Sequence, residues 1–245
     1  MHLHKEPLVR LGVFVLSTDQ GIEQELIRLA PSDVAFHFTR MPSYVDCLER
    51  NTSHAKELSE TANGLYPCAN LDAAIYGCSS GEITFGASAL RETIHTILPD
   101  IPVITPISAS ISALREISAD VVSILSVYDR ELNIKLTHKF AKAGIRTERI
   151  YELSLNADFE TALLTEQFFA DAITQIRSDK PKCLFVPCNS VSVVSHIQMM
   201  ENYLNVPVIT STQAVFWQAM NSIGHDKLKL NSEYESLFQT EQGVE

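Results

Sequence analysis

The stretch AAIYGCSSGE (residues 73–82) decides the fold that we expect for this chain. A short apolar run ends in a turn of small residues that carries one cysteine and two hydroxyls, and a helical pattern follows from Ala87. A strand-to-helix turn of this kind leaves backbone N–H groups unpaired at the helix start, and these groups favour a nearby negative charge. Cys78 is therefore a candidate reactive thiolate, although a small buried cysteine is the commoner role of this residue.

A second stretch, KCLFVPCNSVS (residues 182–192), has the same plan, and its Cys188 follows Cys78 by 110 residues. Two further pairs of landmarks keep a similar spacing: Asp19 with Asp129, and Pro102 with Pro207. Since the pairs occur in the same order, they predict two similar halves, each of which presents one cysteine at the end of a strand.

The pattern of apolar runs favours an α/β fold. Runs that are continuous, not alternating, predict buried parallel strands before each cysteine and at 8–16, 34–40, 102–105, 121–127, 146–153 and 206–210. Helical patterns between them lie at 22–29, 44–63, 109–117, 130–143, 161–178, 193–204 and 213–223. Alternating strands and helices predict parallel sheets flanked by helices, with functional groups at the carboxyl ends of the strands.

We therefore expect two pseudo-symmetric α/β lobes, each a parallel sheet flanked by helices, with an active site in the cleft between them. The first lobe is predicted to comprise residues 1–115 plus 212–245 and to carry Cys78. The second is predicted to comprise residues 116–211 and to carry Cys188. With the strand ends of both lobes facing, the two cysteines would meet.

Composition narrows the possible partners of the chain. Its 245 residues carry a formal net charge of −11, which argues against nucleic acid or an anionic membrane as the main partner. No apolar run is long enough to span a bilayer, and the first residues lack the pattern of a signal peptide. The five cysteines show no CxxC spacing and the histidines no HxxxH spacing, so we expect no disulfide framework, no metal site and a reducing cytoplasm.

Two thiols beside one cavity suit two kinds of chemistry on a small carboxylate. One thiolate can remove a proton from a carbon while the opposite thiol donates one. Alternatively, a thiolate adds to a double bond, and rotation and elimination then change its geometry. Both routes need donors for the carboxylate or a developing enolate, and hydroxyls and amides adjoin both cysteines: Ser79, Ser80, Asn189 and Ser190.

YGCSSG (residues 76–81) and PCNS (residues 187–190) resemble the paired cysteine motifs of the aspartate/glutamate racemase superfamily. The resemblance is closest to the branch that contains maleate cis–trans isomerases, arylmalonate decarboxylases and the ectoine-utilisation protein A group. It runs from Leu11 to about Gly224 and includes TPI (residues 105–107) and SVY (residues 126–128).

This resemblance implies an enzyme that needs no cofactor and works between two lobes on a small carboxylate. In maleate isomerases the cysteine that matches Cys78 adds to the substrate, and the one that matches Cys188 handles a proton. Arylmalonate decarboxylases keep only the second cysteine. The carboxylate-binding tyrosine and asparagine of maleate isomerases are similar to Tyr128 and Asn156. Together with the first turn, the resemblance gives the substrate-binding candidates Thr18, Asp19, Gly77, Ser79, Ser80, Tyr128, Asn156, Asn189 and Ser190.

Asp19 departs from the maleate isomerases, which carry an asparagine at this point. An ionised aspartate only accepts hydrogen bonds and would repel a dianion, so it favours a substrate with a cationic nitrogen, such as an amino acid or a cyclic amidine like ectoine. The alternative is that Asp19 caps the helix near Ile22. One residue can do both.

The leading hypothesis is an isomerase or racemase that uses Cys78 and Cys188 as nucleophile or acid and base. A decarboxylase or other lyase that uses mainly Cys188 is the alternative among enzymes. A non-catalytic protein that binds a small ligand between its lobes is the alternative outside them. A homo-oligomer is left open.

Overall fold

The computed structural model describes residues 9–42, 51–65, 70–153 and 158–224 of the chain. Strands and helices alternate in its first half: β1 (Val9–Leu16), α1 (Ile22–Leu29), β2 (Val34–Met41), α2 (Asn51–Ala62), β3 (Ala73–Tyr76), α3 (Ser79–Phe85), α4 (Ala87–His95), β4 (Val103–Ile104) and α5 (Pro106–Glu116). They alternate again in its second half: β5 (Val121–Ser126), α6 (Arg130–Lys142), β6 (Arg146–Glu152), α7 (Asp158–Thr161), α8 (Glu166–Arg177), β7 (Leu184–Val186), a 3-10 turn (Val194–His196), α9 (Ile197–Leu204), β8 (Val208–Thr210) and α10 (Ser211–Ser222).

The strands form two four-stranded parallel sheets with the same topology. The first has the order β2-β1-β3-β4 and the second the order β6-β5-β7-β8. Each cysteine follows the third strand of its half, and that strand lies inside its sheet. The predicted α/β fold of two pseudo-symmetric lobes is confirmed.

Four strands, including β8 at the edge of its sheet, are buried because most of their side chains are apolar on both faces. β3, β5, β7 and β8 are buried along their whole length. One hydrophobic core runs continuously through both lobes, and a smaller one lies around Phe14, Met41, Leu58 and Leu90 of the first half. Helix α10 packs on α5 and α1 and also contacts β3, β4 and β8.

Two predicted helices differ in detail from the structure. The pattern at 161–178 predicts one helix, whereas α7 ends at Thr161 and α8 begins after Thr165, whose hydroxyl caps it. The helix predicted from Ala87 is present as α4, but a short helix that was not predicted, α3, precedes it, and Gly86 separates the two with a φ of +85° that disfavours other residues. Within the described ranges, no helix combines the length and the apolar character that a membrane crossing needs.

Candidate active site

Cys78 is the N-cap residue of α3, directly after β3. Its sulfur accepts a hydrogen bond from the Gly81 N–H at 3.2 Å and lies 3.3 Å from the Ser80 hydroxyl oxygen. The turn fits because Gly77 has no side chain: a Cβ atom there would lie 2.7 Å from the Phe14 carbonyl oxygen. The cysteine is therefore held rigidly, with hydrogen-bond donors beside its sulfur of the kind that a thiolate needs.

Cys188 occupies the matching position after β7 but has a different environment. Its backbone has a φ of +77°, a left-handed conformation that is costly for a residue other than glycine and that often occurs at functional sites. Burial, and then the negative charge of Asp19, raise the pKa of Cys188 to about 12, although hydrogen bonds from Ser190 act in the opposite direction. Its side chain is half-buried. At neutral pH Cys188 is therefore a thiol that can donate a proton.

The residues that follow the two cysteines join the lobes. The Ser79 hydroxyl donates to the Asn189 side-chain oxygen at 2.7 Å, and both side chains are buried. The Asn189 carbonyl oxygen accepts from the Thr212 hydroxyl at 3.3 Å. The Asn189 side-chain nitrogen, also buried, has no hydrogen-bond partner in the described part of the chain. This amide N–H group is consequently a buried donor that the described residues leave unsatisfied.

Tyr128 brings a second unpaired donor to the same place. Its ring is buried, and its hydroxyl lies close to the Ser79 and Cys188 side chains, both of which affect its pKa, without completing a regular hydrogen bond among the described residues. Burial raises the pKa of Tyr128 well above its usual value, and the charges of Cys188 and then Cys78 raise it further. Because both cysteines act on this phenol, it lies near both, and it stays protonated as a donor.

Asp19 caps α1 and also binds the second lobe. One of its carboxylate oxygens accepts from the backbone N–H groups of Gly21 and Ile22, at 2.8 and 3.0 Å. The other accepts from the Ser190 hydroxyl at 2.7 Å. Burial raises the pKa of Asp19 above its ordinary value, against these hydrogen bonds. The capping role is thus present, and both oxygens already have partners.

Of the remaining predicted site residues, Thr18 and Ser80 are described by the structure and Asn156 is not. Thr18 is half-buried at the end of β1, beside Asp19, and Ser80 is half-buried beside Cys78. Asn156 lies outside the described residues, so its predicted role in substrate binding has no structural description.

Two buried glutamates, which the sequence analysis did not select, support the site. Glu82 on α3 accepts from the N–H groups of Ile107 and Ser108, at 2.5 and 3.0 Å, and from the Ser108 hydroxyl at 2.6 Å. It therefore fixes the helix that follows Cys78 against the start of α5. The available signal was an acidic residue between Gly81 and Ile83, in a run that is otherwise small or apolar.

Glu25 on α1 holds the first lobe against the second. One of its oxygens accepts from Arg28 at 2.5 Å and the other from the Val194 N–H at 2.6 Å. Close packing continues at Gly21, where a Cβ atom would lie 2.3 Å from the Ser190 carbonyl oxygen. Glu25 lies on the buried face of α1 with Leu26, so a charge on an apolar helix face was the signal that could have revealed it.

No cluster of metal-ligating side chains is found among the described residues. The site thus consists of two cysteines in matched turns, one beside hydrogen-bond donors and one kept as a thiol, with a phenol and an amide left unpaired. Such a set can add a thiolate to a substrate, transfer a proton, and hold a carboxylate.

The chain is similar to known proteins over most of its length. The family model described as arylmalonate decarboxylase matches residues 40–234. A curated relative, the maleate isomerase of Alcaligenes faecalis, is 21% identical over 231 residues, which cover 88% of this chain and 91% of the relative.

Two solved structures are similar over most of the chain. A variant of arylmalonate decarboxylase with a bound sulfate ion has a TM-score of 0.81 at 19% identity, with 94% of this chain and 99% of that one covered. A cysteine-to-serine variant of the Nocardia farcinica maleate cis–trans isomerase, which holds a covalent succinylcysteine intermediate, has a TM-score of 0.72 at 19% identity, with 88% and 93% covered. These relatives are enzymes, isomerases and decarboxylases alike. By the match of its family model over most of its length, the chain belongs to the arylmalonate decarboxylase family.

Proposed function

We propose that this protein is an isomerase that needs no cofactor and acts on a small carboxylate with a cis double bond, with Cys78 as nucleophile and Cys188 as acid and base. The observation that carries the proposal is the difference between the two cysteines. Donors from Gly81 and Ser80 adjoin the Cys78 sulfur, whereas burial and Asp19 raise the pKa of Cys188 to about 12. One position suits a thiolate and the other suits a thiol.

The proposed reaction conserves atoms and electrons. The Cys78 thiolate forms a C–S bond to one carbon of the double bond, and the π electrons move to the neighbouring carbon, where the adjacent carboxylate stabilises them. Cys188 then gives its proton to that carbon. After rotation about the new single bond, the Cys188 thiolate takes a proton back, the C–S bond breaks, and the trans isomer leaves.

Unpaired donors support a carboxylate as the recognised group. The Tyr128 hydroxyl and the Asn189 side-chain N–H group are buried without partners, and an unsatisfied buried group costs about 1–3 kcal/mol. A carboxylate placed between the two cysteines would accept from both groups and remove that cost. Maleate is bound or converted by relatives at about one-fifth identity, so it is the first substrate to test.

A substrate with a cationic nitrogen has less support than a dicarboxylate. That expectation rests on Asp19, and its two oxygens are occupied by the start of α1 and by Ser190. An ammonium or amidinium group would have to displace these hydrogen bonds. Amino acids and ectoine therefore form the second panel of substrates.

Decarboxylation is a second candidate because a thiol donor at Cys188 is sufficient to protonate an enolate, and because the family model is that of a decarboxylase. A decarboxylase of this kind would not use the hydrogen-bond donors around Cys78. Proton NMR of the purified protein with maleate, arylmalonates and the second panel separates the reactions. Isomerisation conserves substrate mass, whereas decarboxylation releases CO₂. Conversion of arylmalonates but not of maleate would contradict the proposal.

The non-catalytic alternative is tested with iodoacetamide near neutral pH. The proposal expects rapid alkylation of Cys78, slow alkylation of Cys188 and loss of turnover with the first modification. The buried Cys183, whose pKa burial raises to about 12, is the internal control for an unreactive thiol. If Cys78 is as inert as Cys183, a binding protein is the better description.

A further inference from the structure

A polar cavity lies at the edge of the first sheet and shares no lining residue with the candidate active site. It has a volume of about 250 Å³ beside β4, between helices α4, α5 and α10. Its polar lining consists of Arg91, Thr105, Ser108, Ser112, Gln218 and Ser222. The role proposed for the two cysteines does not involve this cavity.

Arg91 brings a positive charge to the cavity without a negative partner. Its side chain donates to the Val103 carbonyl oxygen at 3.1 Å and to the Thr105 hydroxyl at 3.3 Å, and both acceptors are neutral. No carboxylate of the described residues makes an ion pair with it. A guanidinium has five N–H donors, so three of them remain for a ligand. These two bonds also fix the orientation of the guanidinium plane. A guanidinium held in this way can bind a carboxylate through two parallel hydrogen bonds.

The serine hydroxyls of the cavity offer acceptors to a ligand, whereas Arg91 offers donors. Ser108 donates to Glu82, Ser112 to the Ser108 carbonyl oxygen, and Ser222 to the Ala219 carbonyl oxygen. With their protons used in this way, these oxygens face a ligand as acceptors. The negative charge of Glu82 is offset locally by three donors at the start of α5. The cavity therefore offers a cation at one place and hydrogen-bond acceptors at others.

We propose that this cavity binds a small carboxylate that also carries a hydroxyl or ammonium group, that is, a hydroxy acid or an amino acid. The carboxylate lies on the Arg91 guanidinium, and the hydroxyl or ammonium donates to the serine oxygens. The volume equals about eight water-sized volumes, which suits an acid of about four carbons. This proposal does not depend on the chemistry proposed at Cys78: the two sites share no lining residue, although Ser108 of the cavity donates to Glu82 on the helix that follows Cys78.

The single tryptophan of the chain makes binding measurable. Trp217 is the neighbour of Gln218 on α10, so its fluorescence is a suitable readout for titration of the full chain with malate, aspartate, succinate and inorganic phosphate. We expect saturable binding of malate or aspartate with one equivalent at this cavity. Succinate has no hydroxyl or ammonium group and should bind more weakly. Calorimetry of the same titrations gives the stoichiometry.

Four variants, two of them controls, locate the site. Arg91→Gln should weaken binding by about tenfold or more, since it removes a charge-assisted pair. Arg115→Gln is the matched control, because Arg115 also donates to a backbone carbonyl, that of Ala143, but does not line the cavity. Tyr128→Phe should leave this binding unchanged, which separates it from binding at the cysteines. Ser112→Met fills the cavity and keeps Arg91, so it decides the question if Arg91→Gln does not fold.

The possible outcomes are distinct. Loss of binding in Arg91→Gln or Ser112→Met with retention in Arg115→Gln and Tyr128→Phe supports the proposal. Three results would overturn the proposal. They are that no probe binds saturably, that Arg91→Gln and Ser112→Met both bind as tightly as the wild type, or that Tyr128→Phe loses binding. Saturable binding of phosphate alone overturns the assignment to a carboxylate.

Discussion

The Ser79 hydroxyl donates to the side-chain oxygen of Asn189 at 2.7 Å, and these two residues hold the same position in the two halves of the chain. Each directly follows one of the cysteines, and 110 residues separate them, as 110 residues separate the cysteines. The carboxyl ends of the two central strands therefore meet at a direct hydrogen bond between lobes. The two thiols belong to the turns on either side of that contact.

We predict that Ser79→Ala lowers the free energy of unfolding by about 1–3 kcal/mol, because it leaves the buried Asn189 oxygen without its donor. Urea denaturation measures the change. Ser178→Ala is the control, since this serine also loses a hydroxyl hydrogen bond but at an exposed position. A loss no larger than that of the control would mean that the contact between lobes contributes little.

Tyr128→Phe should separate binding from stability. The buried hydroxyl makes no regular hydrogen bond and has only the nearby Ser79 and Cys188 side chains as neighbours, so its removal should change the free energy of unfolding by less than about 1 kcal/mol. If the hydroxyl binds the substrate carboxylate, KM for maleate should rise by about tenfold or more. Thermal unfolding and steady-state kinetics provide the two readouts. A destabilised variant with unchanged KM would show that the phenol has a structural role instead.

Asp19→Asn is expected to gain stability over the wild type as pH rises from about 4 to 7. Burial raises the pKa of Asp19, so the native state favours the protonated carboxyl, and its contribution to stability is lost as pH rises through that raised value. An asparagine keeps an acceptor for the Gly21 and Ile22 N–H groups and has no charge to bury.

Urea denaturation of both proteins across this pH range measures the difference. Asp129→Asn is the matched control, because Asp129 caps α6 through the Leu132 N–H but is exposed. Stability curves of Asp19→Asn and wild type that stay parallel across the range would contradict the expectation.

Gly21→Ala should disrupt the contact between the lobes. A Cβ atom at this position would lie 2.3 Å from the Ser190 carbonyl oxygen, so the backbone beyond Cys188 must move. We expect a loss of about 1–3 kcal/mol in unfolding free energy together with most of the turnover. Gly86→Ala is the control for a destabilised variant: its φ of +85° carries a backbone cost of about 1–2 kcal/mol, but its Cβ atom would meet nothing within 4 Å. Equal turnover in the two variants would argue against this contact as a condition for catalysis.

Much of the fold could be predicted from the sequence because its signals are local. Continuous apolar runs predict buried parallel strands, and the recurrence of the motif around Cys78 at Cys188 predicts two similar halves. The division of the chain at residues 115 and 212 stays a prediction, and the packing of α10 on α1, β3 and β4 supports it.

The remaining features depend on contacts between distant segments. Glu25 and Glu82 are important through the backbone N–H groups that meet them in the folded chain, and sequence spacing does not reveal those partners. The positive φ of Cys188 likewise has no signature, since cysteine does not favour it. For Asp19 the sequence left capping and substrate binding open. The hydrogen bonds from the Gly21 and Ile22 N–H groups provide the capping role, and the one from the Ser190 hydroxyl joins Asp19 to the second lobe.

The most direct test of the central claim is mass spectrometry of Cys188→Ser after incubation with maleate. In this variant water can supply the proton that completes the adduct, whereas breaking the C–S bond needs the Cys188 thiolate as base. An adduct equal in mass to one substrate should therefore accumulate, and peptide mapping should place it on Cys78. Cys78→Ser should form no adduct under the same conditions. An adduct on any other cysteine, or none in Cys188→Ser while the wild type converts maleate, would contradict the assignment of Cys78 as nucleophile and Cys188 as proton donor.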